Sequence, residues 1–169
     1  MPDAAPRCAP GEPGPTIPVM KQTSILIDRN TGLHVGWYFW LRVLDEANRS
    51  ARYGTPFALL LLEPVVAAGS PAKLFDEAAG RVARSIRGTD LAGLAGERRI
   101  GIVLPHQDAT AAEAARRRIA DRLRASPPGG VRWESRLLCY PGDGAEISHL
   151  VNGGQAGDAS REAQDGLSA

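Results

Sequence analysis

The chain has 169 residues, 43% of them hydrophobic and 23% charged, which suits one globular domain with a two-layer core. Lys and Arg number 20 against 19 Asp and Glu, a net charge of +1, and this balance excludes bulk attraction to nucleic acid or an anionic membrane. No secretory leader opens the chain and no apolar run approaches the ~18 residues of a membrane span, so a cytoplasmic protein without membrane insertion is expected.

Residues 1–22 carry Pro2, Pro6, Pro10, Pro13, Pro15 and Pro18. Such a segment lacks backbone donors and apolar mass, and it is expected to be disordered. Trp37, Tyr38, Trp40, Leu41, Leu44 and Ala47 then recur at helical spacing, in a helix that should end before Gly54 and Pro56. Phe57-Ala-Leu-Leu-Leu-Leu62, bounded by Pro56 and Pro64, reads as a buried central strand. A second helix starts near Pro71, with Leu74, Phe75, Ala78, Val82 and Ile86 on its apolar face.

Two short strands follow, Leu91–Ala95 and Arg99–Leu104, joined by a Gly-containing turn and stopped by Pro105. Asp108 is placed to cap a third helix with Ala111, Ala115, Ile119 and Leu123 inward and Arg116, Arg117 and Arg118 around the rest. Val131–Tyr140 is a strand closed by Pro141-Gly-Asp-Gly144, and a short helix runs to Val151. From Asn152 to Ala169 the chain is rich in Gly, Ala, Ser and Asp with Leu167 as the only large apolar residue, so a disordered C-terminal tail is expected after a domain spanning 23–151. The alternation of helices and strands around one hairpin predicts an α+β fold of the ferredoxin-like group, with helices flanking a central antiparallel sheet.

Cys8 and Cys139 fit neither a metal spacing nor a disulfide framework, and His34, His106 and His149 are scattered. No metal site and no cofactor are expected. Trp37, Tyr38 and Trp40 form either core or a docking patch, since neighbours on a helix cannot both point inward.

Four stretches together resemble the GGDEF (diguanylate cyclase) family: Asp28-Arg-Asn-Thr31-Gly32-Leu33, Arg52-Tyr53-Gly54 with the strand from Phe57, Arg87-Gly-Thr-Asp90 through Gly96 to Pro105, and Tyr140-Pro141-Gly-Asp143-Gly144. The resemblance implies a nucleotidyl-cyclase-like fold over residues 24–150. It also implies that the family's signature falls on Gly96-Glu97-Arg98-Arg99-Ile100, with Arg98 where active members carry a metal-binding carboxylate and Glu63 at a second metal position. The segment after Glu63, Val65-Val-Ala-Ala-Gly-Ser-Pro71, is shorter than in the family and lacks the Asn and Asp that read guanine. Phosphoryl transfer depends on positioning and charge neutralisation, so the expectation is a protein that is not an enzyme.

Five residues, Leu91 to Ala95, separate Asp90 from Gly96, which is the family's spacing for an R-x-x-D site that binds cyclic di-GMP. By the same resemblance Arg118 is the third residue of that pocket. An arginine fork suits O6 and N7 of guanine, and a carboxylate accepts from its N–H groups. Each motif also has a plainer reading: Arg87 complements a helix C-terminus, Asp90 follows a turn, and Arg116–Arg118 is a solvated face. Their shared register with the hairpin favours the pocket. The expectation is therefore an inactive receptor that binds cyclic di-GMP through Arg87, Asp90 and Arg118 and signals through a partner protein or as a homodimer, with a ligand-independent interaction module as the alternative.

Overall fold

Phe57-Ala-Leu-Leu-Leu-Leu62 offers no polar side chain to solvent, and it forms the middle of the sheet with all six residues buried. The computed structural model describes residues 26–65, 72–125 and 132–165, with side chains described for 26–65, 73–125 and 132–154. The first strand, β1 (Phe57–Val65), pairs antiparallel with β3 (Arg99–Pro105) on one side and with β4 (Arg132–Tyr140) on the other. A hairpin partner, β2 (Leu91–Gly96), lies outside β3, giving the order β2-β3-β1-β4. The strand runs three residues past the expected Leu62, through Pro64 to Val65. Pro64 lies beyond the last β1–β3 pair, Leu62 with Ile100, and is opposed only by Trp133 of β4, so its missing N–H leaves the central ladder intact.

Alternation along β1 sorts the core into two layers. Ala58, Leu60 and Leu62 point to helices α2 (Ala72–Ala83) and α3 (Ala109–Ala125), where they meet Ala79, Val82, Ala115 and Ile119. Phe57, Leu59 and Leu61 point to α1 (Gly36–Tyr53) and α4 (Gly144–Asp165), against Phe39, Val43, Ile147 and Val151. The architecture is the expected α+β one, an antiparallel sheet with helices on both faces. Helix α1 ends where expected: Gly54 at φ +68 donates its N–H to the Ser50 carbonyl at 2.8 Å, a left-handed cap that favours glycine. Asp108 caps α3 by accepting the Ala111 N–H at 2.8 Å. The inward residue of that first turn is Ala112 rather than Ala111, which is exposed; three residues from Ala112 to Ala115 keep both on one face.

The last helix corrects the boundary set at Val151. It continues through Asn152 to Asp165, across the stretch expected to be a tail. At Gly154 any Cβ would run into the indole of Trp40. Its lack of a side chain lets α4 lie directly on α1, a contact that composition does not register. The Pro-rich residues 1–22 lie outside the described residues.

The contact that seats α1 on the hairpin is more specific. Gly93 and Gly101 face each other across β2 and β3, and the Phe39 ring sits over both. A Cβ on Gly93 would lie 2.5 Å from Phe39 Cβ, and one on Gly101 would overlap the ring tip. Gly101→Ala should therefore destabilise the protein by ~1–3 kcal/mol through overpacking, read from a urea unfolding midpoint. In a Phe39→Leu background the loss from Gly101→Ala should shrink, because the clashing ring atoms are gone. Equal losses in the two backgrounds would show that the ring does not set the spacing.

Candidate functional site

Two places on this frame carry clustered polar residues. The first is the end of the sheet at the β2–β3 turn. Asp28 organises the segment that faces it: its Oδ1 accepts from the Thr31 N–H at 2.8 Å, the Thr31 hydroxyl at 2.7 Å and the Asn30 N–H at 3.2 Å. The chain then runs beside β2, with the His34 N–H donating to the Ala92 carbonyl at 3.1 Å and the Leu94 N–H to the His34 carbonyl at 2.9 Å. Between this turn, the hairpin tip, α1 and α4 lies an open cleft of about 790 Å³, with Asp28, Trp40, Glu97, Arg98, Arg99 and His149 among its walls.

A divalent cation does not fit the charges gathered there. Glu63, the carboxylate at the end of β1, is ion-paired with Arg99, whose Nε donates to Glu63 Oε1. Arg98 stands beside it at the turn and also lines the cleft. Hard cations need several oxygen ligands free to converge; of the carboxylates in the cleft wall, Asp28, Asp76 and Glu97, the first accepts hydrogen bonds from Asn30 and Thr31, and Glu63 nearby in the sheet is turned to a guanidinium. Among the described residues no three of His, Cys, Asp and Glu are grouped to hold a metal ion.

The second place is the turn between α2 and β2. Asp90 Oδ2 accepts the Arg87 N–H at 3.0 Å and the Asp90 N–H donates to the Arg87 carbonyl at 3.0 Å, so the turn closes on itself and brings these two residues together. The Arg87 side chain is exposed. Asp90 is buried, only 8% exposed, and its Oδ1 has no hydrogen-bond partner.

Arg118 lies on α3, one turn before Arg122, whose Nη1 donates to the Ser85 carbonyl at 3.0 Å. That bond ties this helix face to the segment leading into Arg87, and residues four apart share a face. The buried Arg118 Nη2 also has no partner, and among the described residues no ion pair joins Arg118 to Asp90. Its neighbours behave differently. Arg116 bonds both Glu113 oxygens at 2.6 Å and the Ser135 hydroxyl at 3.0 Å, while Arg117 bonds Glu113 at 2.9 Å. These hydrogen bonds hold the Glu113 carboxyl down at about 2. Two of the three consecutive arginines are thus engaged with one glutamate, and Arg118 is turned elsewhere.

Residues that the sequence did not single out complete the surroundings of Asp90. A cleft of about 450 Å³ is lined by Asp90, Gly88 and Thr89 together with His34, Arg42, Glu46, Arg49 and His106; Arg87 and Arg118 are not among its lining residues. Glu46 is 4% exposed, pairs with Arg49 at 3.2 Å through Oε2, and leaves Oε1 without a partner. Burial, outweighing a hydrogen bond to the Leu26 carbonyl, lowers the pKa of His34, and Arg42 adds to the effect. The signal was present as Arg42, Glu46 and Arg49 at i, i+4 and i+7 on one helix face, but only the packing of α1 against β2 aims that face at Asp90.

No protein-family model and no curated sequence matches the chain. Solved structures do match it in fold. A diguanylate cyclase from Thermotoga maritima aligns at TM-score 0.57 and 19% identity, covering 69% of this chain and 88% of its own. The GGDEF domain of DgcB from Caulobacter crescentus, in complex with c-di-GMP, aligns at TM-score 0.63 and 14% identity over 81% of this chain and 89% of its own. The diguanylate cyclase SiaD of Pseudomonas aeruginosa, in complex with its activator SiaC, aligns at 0.64 and 20% identity over 81% of this chain, which spans 58% of the SiaD chain. The four-stranded antiparallel sheet with its four helices is therefore the fold of GGDEF domains.

Proposed function

We propose that this domain is a catalytically inactive receptor for cyclic di-GMP, which it holds through Arg87, Asp90 and Arg118. The observation that carries the reading is that Asp90 Oδ1 and Arg118 Nη2, of opposite charge, are among the buried polar atoms without a partner, with Arg87 exposed in the same turn as Asp90. A buried polar atom without a partner costs ~1–3 kcal/mol, and sites that bind ligands are where that cost is recovered. A guanine edge supplies both counterparts: N1–H and the 2-amino group donate to a carboxylate, while O6 and N7 accept from a guanidinium. Several GGDEF structures of similar fold hold c-di-GMP, which supports the choice of ligand. Output would follow from a change in how the domain holds a partner protein or a second copy of itself.

The pairing of Glu63 with Arg99 supports inactivity, because the carboxylate that would receive a metal ion is already neutralised. Incubated with GTP and Mg²⁺ or Mn²⁺, the protein should yield no cyclic di-GMP above the blank in a chromatographic assay. Arg98→Asp alone should not restore turnover, since Arg99 would still occupy Glu63.

Calorimetric titration tests the receptor reading. Arg87→Ala should weaken cyclic di-GMP binding by ~1–3 kcal/mol, about 5- to 150-fold, and Arg87→Lys should recover little, because a point charge does not reproduce the fork. Arg118→Ala should cost far more than Arg117→Ala, whose guanidinium is spent on Glu113. Equal affinities for those two variants, or no binding by the unaltered protein at micromolar ligand, would overturn the assignment.

A further inference from the structure

Helix α1 has a second, solvent-facing apolar stripe. Trp37, Leu41 and Leu44 fall at i, i+4 and i+7 and are 39%, 40% and 37% exposed, whereas Trp40 and Val43 on the inward face are buried. Trp37 stands edge-on to Tyr38 at 5.7 Å, so the upper end of the stripe presents an aromatic corner. The Arg42–Asp45 ion pair borders it on one side.

We propose that this stripe is the docking surface for the chain's own N-terminal segment Pro15-Thr-Ile17-Pro18-Val19-Met20. Three observations select that occupant. First, Leu26, where the described chain begins, is tied to the start of α1: its carbonyl accepts the N–H of Val35 at 2.9 Å, two residues before Trp37. The six residues from Met20 to Leu26 reach at most ~20 Å, and the stripe from Trp37 to Leu44 is only ~10 Å long, so the segment can lie along it.

Second, the segment's chemistry suits the surface. Proline-rich strands adopt a preformed polyproline II helix that loses little entropy on binding and seats on exposed aromatic side chains. Pro15 and Pro18 favour that geometry, and Ile17, Val19 and Met20 supply most of the apolar mass that the segment has. Third, the size of the stripe argues against a separate chain. Three side chains fall far short of the ~800 Å² per partner of a stable interface between molecules, but a tethered segment acts at a local concentration in the millimolar range and needs only a weak contact. Composition gives residues 1–22 no core of their own, and the stripe offers them one.

Photo-crosslinking of the full chain tests this. p-Benzoylphenylalanine replaces Leu41, an exposed position, and a mixture of ¹⁵N-labelled and unlabelled protein separates links within a chain from links between chains. The expected result is an intrachain crosslink to residues 15–20, mapped by mass spectrometry, that falls at least tenfold when Ile17→Asp and Val19→Asp are introduced together. Circular dichroism of the same samples should show an unchanged fold. Links to another copy, links elsewhere in the chain, no link at all, or a yield insensitive to the two aspartates would each overturn the proposal.

Discussion

The seating of the Phe39 ring over Gly93 and Gly101 is the contact on which both polar sites depend. The two glycines are opposite one another in the hairpin, and with no side chain on either the β2–β3 ribbon has a shallow slot one ring wide. Filling it sets the height of α1 above the sheet. That height in turn places Gly36 and Trp40 in the wall of the larger cleft and brings the Arg42, Glu46 and Arg49 face opposite Asp90. The paired rungs from His34 to Ala92 and Leu94 hold the same edge from the other side. A side chain on either glycine would lift the helix, and both clefts would open with it.

Charge at the hairpin tip contributes little to stability. The Glu63–Arg99 pair is about half exposed on each side, and such pairs contribute ~0–1 kcal/mol. The pair fixes the carboxylate end of β1 on a guanidinium from the neighbouring strand, next to a cleft whose wall includes Arg98. The fold around the cleft is that of GGDEF domains. A shared fold does not by itself assign chemistry, because function resides in a few side chains grafted on a common frame.

The backbone hydrogen bonds of the Arg87–Asp90 turn use one carboxylate oxygen and leave the other buried, so the turn is rigid and its free acceptor has a fixed direction. A flexible surface aspartate would be hydrated and carry no such information. Arg118 differs from Arg116 and Arg117 for a related reason. Glu113, one turn back on the same helix, takes up the two arginines that it can reach at i+3 and i+4, and Arg118, at i+5, lies around the helix from it.

Much of this protein was written in local patterns. The order of elements, the all-apolar centre of β1, the Gly54 and Asp108 caps and the hairpin between Leu91 and Pro105 all follow from periodicity and turn chemistry acting over a few residues, and these make the α+β fold legible. The R-x-x-D turn was legible too, because its hydrogen bonds span only three residues. Tertiary structure decided what depends on residues far apart in the chain. Nothing around Gly154 announces a helix, since its role is to make room for Trp40, more than a hundred positions earlier; the pairing of Glu63 with Arg99 and the facing of Arg42 and Glu46 toward Asp90 are likewise consequences of sheet register and helix packing. Side-chain chemistry can be read from the sequence alone, but the direction in which a side chain points and the partner it meets are set by packing across the whole domain.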